Sequence, residues 1–243
     1  NNYAPPININ IGKSLDIRAL VFDKNDTLWI GSDCGLFIKS PSNAELNAIE
    51  SCKGPLKLLS SPNIRALAID SSNNLWVGSQ TGASWFNLIS PLIKSHKIMP
   101  HNANKHSLTN EFIRTIHTDN KGRIWLGTNN GLSITNVERL NINIYRAPID
   151  SSLIGNYTYS FFSAKNKNQI YISSGKGLNL VNLTNAHEIK SIVSNETIFD
   201  TESIEEYLWA GGRGYLYQIE QKTQKVINTF DATNSPLDGR YIY

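Results

Sequence analysis

Residues 113–134 read IRTIHTDNKGRIWLGTNNGLSI. An apolar run carrying Ile113 and Ile116 ends in Asp-Asn-Lys-Gly, a second run from Ile124 to Leu126 ends in Asn130-Gly131, and Leu132 opens a third. Asp and Asn side chains bond nearby backbone in a reversal, glycine tolerates positive φ, and Asn-Gly is the strongest two-residue hairpin signal. The stretch therefore reads as three antiparallel strands whose register is set by two turns.

The same pattern recurs on either side. Residues 17–38, IRALVFDKNDTLWIGSDCGLFI, put Trp29 and Gly35 in the places of Trp125 and Gly131, and residues 64–86, IRALAIDSSNNLWVGSQTGASWF, do so with Trp76 and Gly82. Trp76 follows Trp29 by 47 residues and precedes Trp125 by 49, which is the period of a four-stranded propeller blade and not of a helical repeat. A fourth strand is expected in each gap, at 56–59, 93–99 and 142–145. A fourth copy spans 157–181, with Tyr171 in place of Trp and Gly175 and Gly177 around the hairpin. A fifth spans 198–219 around Trp209, and residues 226–230 complete it. SPLDGRYIY at 235–243 parallels the lead-in SLTNEFIRTI at 107–116, so it is expected to start the first strand of a sixth blade. Before the first copy, Ile7, Ile9 and Ile11 alternate with polar residues as a half-buried strand does.

No segment of helical length keeps a 3.6-residue period, and Pro, Gly and Asn interrupt the candidates. The expected fold is all-β: one β-propeller domain over 1–243, of four-stranded antiparallel blades near 17–59, 64–99, 113–145, 157–192 and 198–230, with the sixth begun at 235–243. A single blade cannot bury its own faces, so Trp29, Trp76, Trp125 and Trp209 are expected to be buried between blades.

Composition narrows the function classes. With 40% hydrophobic and 18% charged residues the chain is an ordinary soluble globular sequence, and a net charge of +3 with scattered Lys and Arg argues against a nucleic-acid partner. No apolar run approaches the roughly eighteen residues of a membrane span, and the first residues carry no signal-like segment. The two cysteines, Cys34 in a hairpin turn and Cys52 in a connection, have no metal-ligand spacing; a single bridge and two free thiols both remain open.

The run Ile-Arg-x-Ile/Leu, then Asp, then LWIGS, LWVGS or IWLGT, then Gly and an apolar strand resembles the two-component regulator propeller repeat. The match is close in the first three copies and loose in the fourth and fifth. The resemblance implies part of a seven-bladed propeller from a bacterial extracytoplasmic, periplasmic sensor. It further implies attached immunoglobulin-like, membrane and cytoplasmic output parts such as a histidine kinase, and a ligand or partner whose binding biases that output.

The recurring Asp23, Asp70 and Asp119 superficially match calcium loops but lack the D-x-[DN]-x-[DN]-G-x₅-E pattern, so the expectation is an aspartate bonding backbone in its own turn, with no metal and no cofactor. A catalytic set is also missing. His96, His101 and His106 have no acidic or Cys partner nearby, Glu202, Glu205 and Glu206 read as a solvated turn, and His117 stands where other copies have Val21 and Ala68. The chain is not expected to be an enzyme, with a propeller lyase or glycosidase as the lesser reading.

Binding residues are expected at one end of the blades. Arg18, Arg65 and Arg114 are each second in an inner strand, with Tyr159 and Tyr243 in the matching places, and the hairpin residues Asp33, Gln80, Asn129, Asn130, Lys176 and Arg213 belong to the same end. Arg18, Arg65, Arg114, Tyr159, Asn129, Asn130 and Gln80 form the candidate ligand site. Guanidinium forks, Tyr rings and amides suit an anionic small molecule or oligosaccharide. The competing role for the arginines is to tie neighbouring blades through backbone carbonyls. Other expectations are a protein-interaction scaffold without a small-molecule site, and association into a homo-oligomer through the open ends.

Overall fold

The computed structural model describes residues 15–43, 45–55, 57–89, 95–100, 107–136, 145–146, 155, 157–164, 168–184, 189–237 and 242. Ile7, Ile9, Ile11, His101, His106 and Tyr243 lie outside them. The chain divides into two compact units, Asn1–Met99 and Pro100–Tyr243. Every regular element among the described residues is a strand, and the strands form five four-stranded antiparallel sheets, each a simple meander.

The first unit holds two sheets. One is β1 (Ile17–Phe22), β2 (Leu28–Ser32), β3 (Gly35–Lys39) and β4 (Asn47–Ser51), and the other is β5 (Ile64–Ile69), β6 (Asn74–Ser79), β7 (Gly82–Asn87) and β8 (His96–Ile98). Trp29, Leu36, Leu59, Ile64, Leu75, Val77 and Phe86 make their shared core, with the Trp29 ring edge-on to Phe86 at 6.1 Å. The fourth strand of the first sheet is not 56–59 as the sequence suggested. The Glu50 carboxylate accepts the amides of Lys57, Leu58 and Leu59 at 2.6, 2.6 and 3.0 Å, taking the donors a ladder would need. Leu59 is buried as a plug in the connection instead.

The second unit holds three sheets: β9 (Ile113–Thr118), β10 (Arg123–Thr128), β11 (Gly131–Asn136), β12 (Tyr145–Arg146); then β13 (Thr158–Ser163), β14 (Gln169–Ser174), β15 (Gly177–Asn182), β16 (Ile189–Ser194); then β17 (Ile198–Ile204), β18 (Tyr207–Gly212), β19 (Leu216–Glu220), β20 (Lys225–Phe230). Trp125 packs with Leu132, Ile134, Ile170 and Ile172 of its own and the next sheet, and Tyr171 with Leu178, Leu208 and Ala210. The strand expected at 142–145 pairs at Tyr145 and Arg146, and its other positions lie outside the described residues.

One clamp repeats in three sheets. Oδ1 of Asp23, Asp70 and Asp119 accepts the amides two and four residues on, at 2.8 to 3.0 Å, and Oδ2 accepts the indole N–H of the Trp six residues on, at 3.0, 2.9 and 2.8 Å respectively. The turn residue three after the aspartate, Asp26, Asn73 or Gly122, has φ of 57°, 62° or 70°, which Asn, Asp and Gly tolerate best. The aspartates thus fix both the turn and the ring that fills the core. The rings of Trp29, Trp76 and Trp125 are buried, whereas Trp209, expected to match them, is only half-buried. Its sheet is the fifth, and no described sheet covers its ring.

Glycine is demanded at the second hairpin. Gly35, Gly82 and Gly177 have φ of 133°, 118° and 139°, and a Cβ there would strike the backbone of the fourth strand. The hairpin glycine therefore sets how closely the outermost strand docks.

Candidate functional site

The inner strands β1, β5, β9, β13 and β17 each begin beside the hairpin joining the second and third strands of the same sheet. The amides of Asp33, Gln80, Asn129, Gly175 and Arg213 donate to the carbonyls of Asp16, Asn63, Phe112, Tyr157 and Thr197, the residues just ahead of each inner strand, at 2.9 to 3.3 Å. This tie puts each hairpin tip and each inner-strand start at one end of its sheet, and in the fourth sheet Gly175, not Lys176, makes it.

In the first unit the end is polar. Arg18 donates from one terminal nitrogen to Asn63 Oδ1 at 2.5 Å, reaching the neighbouring sheet, and from the other to Asp16 Oδ2 at 3.3 Å. Asp33 Oδ1 accepts the Asp16 amide at 3.2 Å. Arg18 therefore ties two blades through a side chain, not through the backbone carbonyl foreseen for it. Arg65 is half-buried, and Gln80 acts through its amide. Beside this end Cys34 and Cys52 are joined by a disulfide that fastens the β2–β3 hairpin to the end of β4, with Cys34 buried and Cys52 exposed.

In the second unit the end is aromatic. The Arg114 guanidinium lies over three rings, 5.5 Å from Phe112, 5.1 Å from Tyr157 and 5.2 Å from Tyr159, and its Nε donates to Asn129 Oδ1. Tyr159 in turn meets Phe199 edge to face at 5.1 Å. Such cation–π packing holds the guanidinium plane in place. Its terminal nitrogens bond no described residue. Tyr157 is 44% exposed and forms the open wall of this cradle. Asn130 is exposed at the hairpin tip, its amide spent on Thr128 Oγ1 at 3.0 Å.

Of the candidate residues, the structure brings Arg114, Tyr159 and Asn129 into one cluster, and Arg18 into a different one with Asn63 and Asp16. The sequence reading missed Phe112, Tyr157 and Phe199. Phe199 follows Ile198 as Arg114 follows Ile113 and was legible from register; Phe112 and Tyr157 sit one place before their strands, where no repeated residue type pointed to them.

His117 pairs across from Trp125 and its Nε2 lies 3.0 Å from Ser163 Oγ of the next sheet. Burial lowers its pKa, with the Asp119 carboxylate opposing. It belongs to the blade contact. Glu202, expected in a turn, is in strand β17 instead, and only Glu205 and Glu206 occupy the turn. Among the described residues no group of three His, Cys, Asp or Glu is placed to hold a metal.

The family model described as "Two component regulator propeller" matches residues 58–81 and 107–130. The chain carries two component regulator propeller repeats. Both matched stretches run from a lead-in to the hairpin of strands two and three, so the repeat is the unit that builds the sheet end just described. Among curated proteins none matches the chain. The extracellular domain of the putative hybrid two component system BT3049 from B. thetaiotaomicron is similar in structure, with a TM-score of 0.68 at 16% identity, over 88% of this chain and 30% of that one. PorZ, a surface component of the type-IX secretion system of Porphyromonas gingivalis, gives 0.67 at 16% identity over 93% and 35%. Virginiamycin B lyase from Staphylococcus aureus gives 0.65 at 11% identity over 93% and 73%. The chain thus spans about a third of the length of the first two, and at these identities the likeness establishes the propeller fold.

Proposed function

We propose that this chain is the ligand-binding part of an extracytoplasmic sensor domain of a bacterial transmembrane signalling protein, and that it recognises an anionic small molecule, an acidic oligosaccharide in the first instance, at Arg114. The observation that carries this reading is the guanidinium held among Phe112, Tyr157 and Tyr159 by Asn129, with no described residue bonded to its terminal nitrogens. A sugar ring stacks on an exposed Tyr face while a carboxylate takes the fork, and one side chain cannot do both. The propeller repeats and the extracellular two-component domain with the same fold support the sensor role. The Cys34–Cys52 bridge suits an oxidising periplasm. In this reading the chain is no enzyme, uses no cofactor, and passes its signal to attached output domains such as a histidine kinase.

Calorimetric titration with uronate-containing oligosaccharides and their neutral counterparts tests it, on the chain and on Arg114→Gln. Binding of an acidic member that weakens about tenfold or more in the variant is expected, since a charge-assisted hydrogen bond contributes roughly 1.5–3 kcal/mol. Indifference to the substitution would remove the site.

A second reading, a protein-interaction scaffold, draws on β1, where Leu20 and Phe22 are 59% and 64% exposed. Concentration-dependent association abolished by Leu20→Ser with Phe22→Ser would favour it.

A further inference from the structure

All five inner strands break register with strand two at the same place. In β1, β5, β9, β13 and β17 the first and third residues pair in succession, and the second is left out of the ladder. Those second residues are Arg18, Arg65, Arg114, Tyr159 and Phe199. A bulge leaves its extra residue unpaired and re-aims that side chain out of the alternation of the strand.

Within each unit the bulge residue reaches the sheet that follows. Arg18 bonds Asn63, the residue just ahead of β5. Arg114 lies over Tyr157, just ahead of β13, and over Tyr159, which is the next bulge residue. Tyr159 meets Phe199, the bulge residue after that. In the second unit the bulges thus make a train across three sheets, with the Arg114 guanidinium 5.2 Å from the Tyr159 ring and that ring 5.1 Å from Phe199.

The first contact of the train depends on angle. A guanidinium is attracted to the negative face of a ring and not to its positive edge, so Tyr159 supports Arg114 only while its face stays turned to it. Tyr159 is half-buried and sits outside the ladder, so neither a closed core nor strand pairing fixes its side chain. Phe199 meets the same ring edge to face, at 73°, and a swing of Tyr159 about χ1 would break that arrangement. Phe199 is one step removed from the cation: it packs on Tyr159, and Tyr159 on Arg114.

We propose that Phe199 is a positioning residue of the Arg114 site, holding the Tyr159 ring face-on to the guanidinium, so that the fifth sheet sets how firmly Arg114 takes an anion. This rests on Arg114 being the binding group, and adds to it a residue that acts from one ring away. The competing role for Phe199 is packing. A ring that only fills the seam between β13 and β17 would contribute to stability and leave Arg114 as it is.

The test reads Arg114 directly. Its Nε–H resonance, assigned by its loss in Arg114→Gln, lies among three rings and moves with their orientation. Phe199→Leu keeps an apolar side chain and removes the ring. It should move the Arg114 resonance and leave the Trp125 indole N–H resonance, which reports the third sheet, in place. Phe199→Tyr should bring the Arg114 resonance back. In titrations with D-glucuronate, affinity should fall roughly two- to tenfold in Phe199→Leu, the worth of one aromatic pair, and recover in Phe199→Tyr. An Arg114 resonance that stays in place in Phe199→Leu, a Trp125 resonance that moves with it, glucuronate binding equal in the unaltered chain and Phe199→Leu, or no recovery in Phe199→Tyr would each overturn the proposal. If glucuronate binds the unaltered chain no better than Arg114→Gln, the anion-binding reading falls instead, and the resonances alone decide whether Phe199 positions Arg114.

Discussion

Asp119 Oδ2 accepts the indole N–H of Trp125 at 2.8 Å while Oδ1 accepts the amides of Lys121 and Arg123, so one carboxylate fixes a turn and a buried ring together. Arg123 adds an ion pair at 2.7 Å to the same oxygen. The turn and the core are therefore one cooperative unit, and its parts should not be separable energetically. Trp125→Ala should cost about 3–5 kcal/mol for the lost ring. Asp119→Ala should cost about 2–4 kcal/mol for a buried ring N–H and two amides left without an acceptor. In denaturant melts the double variant should cost clearly less than the two added. Strict additivity would show that the clamp is incidental to the packing.

The same carboxylate makes stability depend on pH. Burial alone would raise the Asp119 pKa, but the bonds from Trp125 and Arg123 outweigh it and the net direction is down; Asp23 moves the same way through Trp29, Asn25 and Thr27. A depressed pKa means stability that is full above the unfolded carboxylate value, near pH 4, and lost as pH falls through the folded value. His117 acts higher. Burial depresses it, so the folded state favours neutral imidazole, and stability should begin to fall below about pH 6.5. Melts across pH 3 to 8 should thus show two declines on acidification, the upper one missing in His117→Gln. A single decline in the unaltered chain would rule out the histidine's part.

The Cys34–Cys52 bridge closes a loop with a sequence separation of 18 residues. Cross-linking a loop of that length is worth about 3 kcal/mol, chiefly through the unfolded chain. Reduction, or Cys34→Ser with Cys52→Ser, should lower the stability of the first unit by that order without moving the melting signal of Trp125. Equal melting with and without reductant would mean the bridge constrains nothing.

What the sequence could reveal follows from what repeats. Five copies of one strand pattern fix sheet order and hairpin register, because turn chemistry and the Trp-to-Gly spacing act within about twenty residues. One fourth strand was misplaced, that of the first sheet, because an edge strand is held by backbone pairing: residues 57–59 look β-prone, yet Glu50, several residues away, claims their amides. The disulfide was undecided since only folding brings Cys52 beside the hairpin that holds Cys34. The Arg114 cradle was half legible. The repeated Arg and Tyr positions pointed to it, but the aromatic walls Phe112 and Tyr157 come from lead-ins that do not repeat. Glu202 was misread as a turn residue because the fifth copy lost its Asp, and with it the marker that counts residues into the strand.

The last prediction concerns Arg114. A side chain whose charge alone mattered would tolerate lysine, since both are cations of similar reach. Here the guanidinium plane is held by three rings and by Asn129, which orients the two terminal donors as a pair. Lysine keeps the charge but presents neither the plane nor the fork. Affinity for an acidic oligosaccharide should therefore fall in the order unaltered chain, Arg114→Lys, Arg114→Gln, with the lysine variant already weaker by about tenfold, or roughly 1.4 kcal/mol. Arg18→Gln should behave differently. That residue is spent on Asn63 and Asp16, so its loss should lower the melting temperature and leave the affinity unchanged. If Arg114→Lys binds as well as the unaltered chain, the rings serve packing only. Affinity lost in Arg18→Gln and kept in Arg114→Gln would place recognition in the first unit instead.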